Sequence, residues 1–371
     1  MSCLNLTEFA FDEWGDILLK PLHGGRYPLV GEIELTDRCN LTCTHCYINQ
    51  PAGCIDTRQQ ELSTEEVKDI LDQIAEAGCL HLLLTGGEPL LRPDFPEIYL
   101  HARRKGMIIM LFTNATMLTP EIVDVLKQAP PHLVEVSIYG ATKETYEAVT
   151  RVPGSFERFM RGLRLLKESG LPAATKTVLL TINRHELPLI QKLAEDMGLR
   201  YRYDGSIFPR LNGSDNPFHY RLGIEEMLEL DRSDPERMQS WVDHYEQSRN
   251  LPMRSEKYIY SCGAGHRSFH IDSTGALSPC MMTRKPSFNI LEMGFKEAWE
   301  KLGAVRVAER TLDVPCLHCS ASGMCVQCPG WSQLVHGDDE TVVDFVCQLT
   351  KAREREIKYN NLVVKEKVSY E

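Results

Sequence analysis

The chain has 371 residues, 25% charged and 43% hydrophobic, with a formal net charge of −11. That length exceeds one small core and makes two domains the natural expectation. The acidic balance argues against nucleic acid as a partner, because phosphate binding relies on clustered Lys and Arg, and no apolar run reaches the length of a membrane span. The opening "MSCLNLTEFAFDEWGD" has neither the basic start nor the apolar core of a signal peptide, so a cytoplasmic protein is expected. Thirteen cysteines in such a protein read as metal ligands rather than disulfides. Three of them make an opening motif, seven fall between 262 and 347, and Cys3, Cys54 and Cys79 are left for packing.

From residue 31 short apolar runs alternate with helical patterns. Strands are expected at 31–36, 80–85, 107–113, 133–139, 174–182 and 199–204, with amphipathic helices near 63–77, 94–105, 119–128, 142–149, 155–169 and 185–197. Ser63 and Glu66 form a capping-box pattern, and Thr119–Pro120 a cap followed by a first-turn proline. Six strand–helix units with near-continuous apolar strands imply an α/β fold, an open, partial (β/α)6 parallel barrel covered by helices. Chemistry in such sheets lies beyond the C-terminal strand ends. The cysteine loop, "TGGEP" (85–89), "TNAT" (113–116) and "YGAT" (139–142) should therefore meet.

The expected organisation is an N-terminal extension (1–30), the barrel (31–205), a polar helical connector (206–260) and a C-terminal, loop-rich iron–sulfur domain (261–371). In the last, hairpin-like pieces such as "SFHIDSTGALSPC" surround the cysteines, and a helix near 347–360 follows. A segment so poor in core residues depends on metal for its fold.

The opening motif "DRCNLTCTHCYINQ" spaces Cys39, Cys43 and Cys46 as C-x3-C-x2-C and then stops. Electron-carrying ferredoxin clusters take four cysteines. Three thiolates on a four-iron cube leave one iron open, as a catalytic zinc keeps one position free for substrate. The alternative is a zinc knuckle completed by Cys54 or His45.

These residues resemble the radical S-adenosylmethionine (radical SAM) enzymes, with His45 in the aromatic position before the last cysteine. The resemblance covers about 31–204. It implies one 4Fe-4S cluster on Cys39, Cys43 and Cys46, whose open iron binds the amino and carboxylate groups of SAM. Reductive cleavage of the sulfonium then yields methionine and a 5′-deoxyadenosyl radical that abstracts hydrogen from a substrate. Gly86 and Gly87 match the family's GGE motif and let the backbone approach the ligand, with Glu88 pairing with the methionyl ammonium. Ser137 and Arg151 match positions that contact the SAM ribose or carboxylate. Asn114 and Asn183 sit at strand ends, where a turn-making role is an equal alternative.

Downstream stand Cys262, Cys280, then C-x2-C-x5-C-x2-C at 316, 319, 325 and 328, then Cys347. A zinc ribbon on the central four leaves three cysteines unexplained. The layout resembles the SPASM extension of radical SAM enzymes, which implies two auxiliary Fe–S clusters. By the family's pairing Cys316, Cys319, Cys325 and Cys347 hold the outer one, and Cys262, Cys280 and Cys328 the inner one. Ser268 stands where a further cysteine is often found, so the inner cluster takes another ligand, such as His266, or keeps an open iron. His266 and His270 otherwise read as ordinary surface histidines.

The resemblance further implies modification of a peptide or protein side chain, such as a thioether or carbon–carbon crosslink. Formylglycine formation is disfavoured because Met281, not aspartate, follows Cys280. Asp204, with Tyr203, is the candidate substrate-facing base at the end of the sixth strand, its pKa raised by a dry barrel; a turn-forming role before Gly205 is an equal alternative. Only thirty residues precede the first strand, so a separate leader-binding protein is expected, with ferredoxin or flavodoxin as electron donor. The alternatives are a small-molecule or tetrapyrrole substrate, or a zinc-stabilised binding module without radical chemistry.

Overall fold

A computed structural model describes residues 25–48, 50–248 and 257–368, with side chains described as far as residue 359. Cys3 and most of the expected N-terminal extension lie outside the described residues.

The six expected strands form β1 (Val30–Glu34), β2 (His81–Thr85), β3 (Ile108–Thr113), β4 (Leu133–Ser137), β5 (Ala173–Val178) and β6 (Arg200–Asp204). They lie side by side in chain order and all run parallel. The covering helices are α1 (Thr64–Glu76), α2 (Phe95–Arg104), α3 (Pro120–Gln128), α4 (Lys143–Thr150), α5 (Ser155–Ser169) and α6 (Leu187–Asp196). Helix α1 starts where Ser63 and Glu66 complete a reciprocal capping box. Its buried face, Val67, Ile70, Leu71 and Ile74, joins Phe95, Ile98 and Tyr99 of α2 over Leu82, Leu84, Ile109 and Leu111 of the sheet. Removing that apolar area from water is the main stabilising term of the domain.

Two strands end earlier than their apolar runs. β5 stops at Val178 because Asn183 reorganises the next turn: its side chain accepts from Leu180 N and donates to the Val178 and Tyr139 carbonyls. Those bonds leave no regular ladder beyond Val178, and β4 likewise stops at Ser137.

The connector contains α7 (Ile224–Ser233) and α8 (Pro235–Ser248). Beyond it, β7 (Ser268–Ile271) and β8 (Ala276–Ser278) make the expected antiparallel hairpin, turning at Gly275 with φ +87°. What the sequence pattern does not reveal is where the hairpin goes. β7 pairs in parallel with β1, from Val30↔Ser268 to Ile33↔Ile271, and β9 (Phe288–Asn289) follows on β8. One nine-stranded sheet results, in the order β9-β8-β7-β1-β2-β3-β4-β5-β6. The C-terminal region thus covers the edge of β1 that an isolated barrel leaves unpaired. Phe269 of β7, with Phe295 and Trp299 of α9 (Phe295–Leu302), enters the same hydrophobic core as the barrel. Short turns carry the later cysteines to α10 (Pro329–His336) and α11 (Asp344–Val368). Helix α11 binds the connector through Arg353, whose guanidinium meets Asp231 of α7 at 2.7 Å. Among the described residues no helix is long and apolar enough to cross a membrane.

Candidate functional site

Beyond the C-terminal ends of β1–β6 lies a cavity of about 410 Å³. Cys39, Cys43, His45 and Cys46 line it together with Gly86, Gly87, Asn114, Ser137, Tyr203 and Asp204. The four loops expected to meet do so. Each follows a parallel strand, and parallel strands deliver their loops to one end of the sheet.

The cysteine loop is held by polar contacts to its neighbours. Thr42 N and Thr44 N donate to the carbonyls of Thr150 and Val149 at the end of α4. Asn40 donates to Thr116 Oγ1, and Asn114 Nδ2 donates to Asn40 Oδ1 at 3.0 Å and reaches Cys39 Sγ at 3.7 Å. Before the loop, Arg38 makes a two-pronged ion pair with Glu61, both contacts 2.8 Å and both side chains nearly buried. The glycines of "TGGEP" serve this packing: a Cβ on Gly86 would stand 2.2 Å from Thr36 O, and one on Gly87 2.3 Å from Arg38 O. Their immediate close approach is thus to the backbone after β1, while both also face the cavity.

Burial governs the site's electrostatics. It pushes the Cys39 thiol up to about 12, with the Glu88 carboxylate adding to the effect, and drives Cys43 well above its ordinary value. Thiolates here require a positively charged partner, which an iron–sulfur cluster supplies. His45 is held neutral by burial, its pKa lowered to about 4. Its ring meets Tyr139 edge-on at 4.9 Å, and its buried Nδ1 has no hydrogen-bond partner among the described residues. A sulfur triad, an unmatched ring nitrogen and glycine-lined walls fit a cluster together with a polar organic ligand. Among the described residues no three His, Cys, Asp or Glu side chains converge on a single-ion position; the three cysteines instead share a cavity wall.

Several expected site residues stand elsewhere. Glu88 is fully buried behind the wall and is not part of it: its carboxylate accepts from Leu90 N, Thr113 Oγ1 and Asn114 N. Burial raises its pKa to about 7, those three donors notwithstanding. Arg151 is exposed, away from the cavity lining, and ends α4 in the left-handed conformation with φ 58°. Asn183 is spent on the turn after β5 and does not line the cavity. Asp204 lines the cavity but is exposed, its Oδ1 accepting from Ser206 N and Oγ, so it is a turn-forming aspartate at the mouth rather than a carboxylate in a dry barrel. Tyr203 points its hydroxyl at Asp234, 3.1 Å away.

Cys316, Cys319, Cys325 and Cys347 line one cavity, where Thr350 Oγ1 reaches Cys325 Sγ at 3.4 Å. Cys328 lies within electrostatic reach of both Cys280 and Cys262. His266 is instead surrounded by Arg306, Arg267 and Arg26, whose charges add to burial in lowering its pKa. Cys79 is packed in the core, and Cys54 caps a short helix (Ile55–Gln60) with Thr57 on its sulfur, so neither completes the opening triad.

Two features escaped sequence reasoning. His270, expected at the surface, is fully buried beside Glu34 of β1, with Nε2 3.5 Å from Oε2, and Arg284 grips the same carboxylate at 2.8 Å. The Tyr47 hydroxyl, next to Cys46, lies 3.2 Å from Glu34 Oε1 and 2.9 Å from Met281 Sδ, next to Cys280. This polar cluster joins the two cysteine loops. Lys176 of β5 also lines the main cavity, 3.0 Å from Glu135 and above the Phe112 ring. Its position in the alternating pattern of β5 was the available signal.

Fold and site together define a parallel barrel built around a three-cysteine loop. Residues 33–194 match the radical SAM superfamily model, so this segment of the chain is a radical SAM domain, the domain of enzymes that act through S-adenosylmethionine and a 4Fe-4S cluster. Its relatives include an AdoMet-dependent heme synthase of Methanosarcina barkeri, 29% identical over 82% of this chain and 92% of the relative. The mycofactocin maturase MftC of Mycobacterium tuberculosis is 28% identical over 87% of this chain and 85% of its own length. Among solved structures, Streptococcus suis SuiB bound to S-adenosylmethionine shares the fold at 16% identity with a TM-score of 0.66, covering 93% of this chain and 83% of that one.

Proposed function

We propose that this enzyme modifies a peptide, using SAM at the three-cysteine cavity and two auxiliary iron–sulfur clusters in the C-terminal region. The carrying observation is that Cys39, Cys43 and Cys46 share one cavity with Asn114 and Ser137, while four further cysteines line a second. When bound, the cluster and SAM supply a 5′-deoxyadenosyl radical for hydrogen abstraction. The chain's own residues hold and orient: Gly86 and Gly87 shape the wall, Asn114 fixes Cys39, and Ser137 offers a hydroxyl to the ligand. Glu88 sets a negative charge behind Asn114, where the methionyl ammonium is its natural partner. Cys316, Cys319, Cys325 and Cys347 hold the outer auxiliary cluster, and Cys262, Cys280 and Cys328 the inner one. An external electron donor of the ferredoxin or flavodoxin kind reduces the enzyme, and a separate protein presents the peptide's leader.

The maturase relative, and PqqA peptide cyclases 31–32% identical over 44–46% of this chain, support the peptide reading. A tetrapyrrole substrate is the second reading, supported by the heme synthase relative. Anaerobic incubation of the reconstituted enzyme with SAM, dithionite and either a candidate precursor peptide or an iron porphyrin, followed by mass spectrometry, tests both. A mass change confined to the peptide is expected; a change confined to the porphyrin overturns the peptide reading.

A further inference from the structure

A second cavity, of about 390 Å³, adjoins the catalytic one between β6, the connector and α11. The two share Arg202, Tyr203, Asp204, Ser206 and Phe208 in their linings and so lie against one another. Trp241, Trp331 and Phe345 give the second cavity aromatic walls.

Its charges are unevenly matched. Lys176 and Arg202 both grip Glu135, at 3.0 and 2.6 Å. Arg237 and Arg353 both grip Asp231, each at 2.7 Å. Each carboxylate is buried and answers two cations, which leaves one formal positive charge per group. All four cations line one or both of the adjoining cavities, whereas neither Glu135 nor Asp231 lines either. The guanidiniums are also held flat: Arg353 lies 4.0 Å over the Trp241 ring and Arg237 4.8 Å over Tyr203. Planar, pre-oriented guanidiniums with free N–H groups match carboxylates. The counter-charge on the wall is Asp204, which sits at the mouth with one oxygen held by Ser206.

We propose that the two adjoining cavities select a substrate carrying two carboxylates, one received by Lys176 and Arg202 and the other by Arg237 and Arg353. This rests on the reading of the first cavity as the place of reaction. Acidic side chains of a peptide and propionates of a tetrapyrrole share that chemistry.

Calorimetric titration of the cluster-loaded, SAM-bound enzyme tests the assignment. Its probes are an acidic decapeptide, the same peptide with Asn and Gln in place of Asp and Glu, coproporphyrin III, and the porphyrin tetra-amide. At least one carboxylate probe should bind about tenfold or more tighter than its amide, the size of a lost charge-assisted hydrogen bond. Arg202→Gln and Arg237→Gln, at the more exposed members of each pair, should each weaken that probe about tenfold, and R237K should recover part of the loss. Unchanged melting temperatures verify the fold of the variants. Carboxylate-dependent binding of the porphyrin alone supports the inference and overturns the peptide reading. Binding of both peptides with equal affinity overturns the inference and leaves the peptide reading standing. Failure of every probe to bind, or variants that bind like the parent enzyme, also overturns it.

Discussion

His270 on the strand that the C-terminal region adds to the sheet stands 3.5 Å from Glu34 on the first barrel strand, and both side chains are buried. Burial alone raises a carboxylate's pKa, yet His270 and Arg284 outweigh it and hold Glu34 at about 2. A depressed carboxylate stabilises the fold above its unfolded pKa, near 4.5, and loses that contribution as pH falls toward 2. The fold should lose about 3 kcal/mol across that window. Glu34→Gln should flatten the acid limb of a urea-denaturation series and cost about 3 kcal/mol at pH 7, because Arg284, mostly covered, is left without its anion.

Serine in place of Cys39, Cys43 and Cys46 together should abolish 5′-deoxyadenosine formation with dithionite and SAM. Iron and acid-labile sulfide should fall by one cluster while the C-terminal iron persists. Cleavage that survives in the triple variant would remove the three-cysteine loop from the chemistry.

The outer auxiliary site has its own signature. Serine at Cys316 and Cys347 should remove about four irons per chain and one EPR component. The melting temperature should fall as well, since small, loop-rich segments fold around their metal. An unchanged iron content would count against the grouping of Cys316, Cys319, Cys325 and Cys347.

Gly86→Ala should be severe. The residue sits at φ +129°, and the added methyl would meet the Thr36 carbonyl. Strain and overpacking together should cost about 3 kcal/mol, and SAM affinity by equilibrium dialysis should fall with it, because the same turn lines the cavity.

Lys176 offers a pH test. Burial lowers its pKa to about 8, against the raising influence of Glu135, while Arg202 lowers it further. Its ammonium should therefore lose its proton as pH rises through about 8, and an anionic substrate should bind more weakly above that point. Lys176→Met should weaken binding below pH 8 and remove the dependence. A parent enzyme whose affinity is flat from pH 7 to 9 would contradict this role.

The alternating apolar runs fixed all six barrel strands within a few residues, because a parallel strand covered on both faces must be apolar along its length. Cysteine spacing was equally legible: a thiolate set for a cluster is local in sequence, and Cys39, Cys43 and Cys46 occupy one loop. That Arg151 and Glu88 stand outside the cavity lining was not legible, for the opposite reason. Whether a side chain at a strand end or helix end faces the ligand depends on backbone angles and packing that spacing does not encode.

By itself, then, the sequence determined the barrel, its open cysteine motif and the cysteine-rich C-terminus, all set by short-range periodicity and ligand spacing. Tertiary structure alone decided that β7 joins β1, that Glu34 meets His270 and Arg284, and that Lys176, Arg202, Arg237 and Arg353 line two adjoining cavities. Those contacts pair residues far apart in the chain. Long-range pairing is fixed by burying charge beside its partner and covering exposed strand edges, which the whole fold must form to achieve.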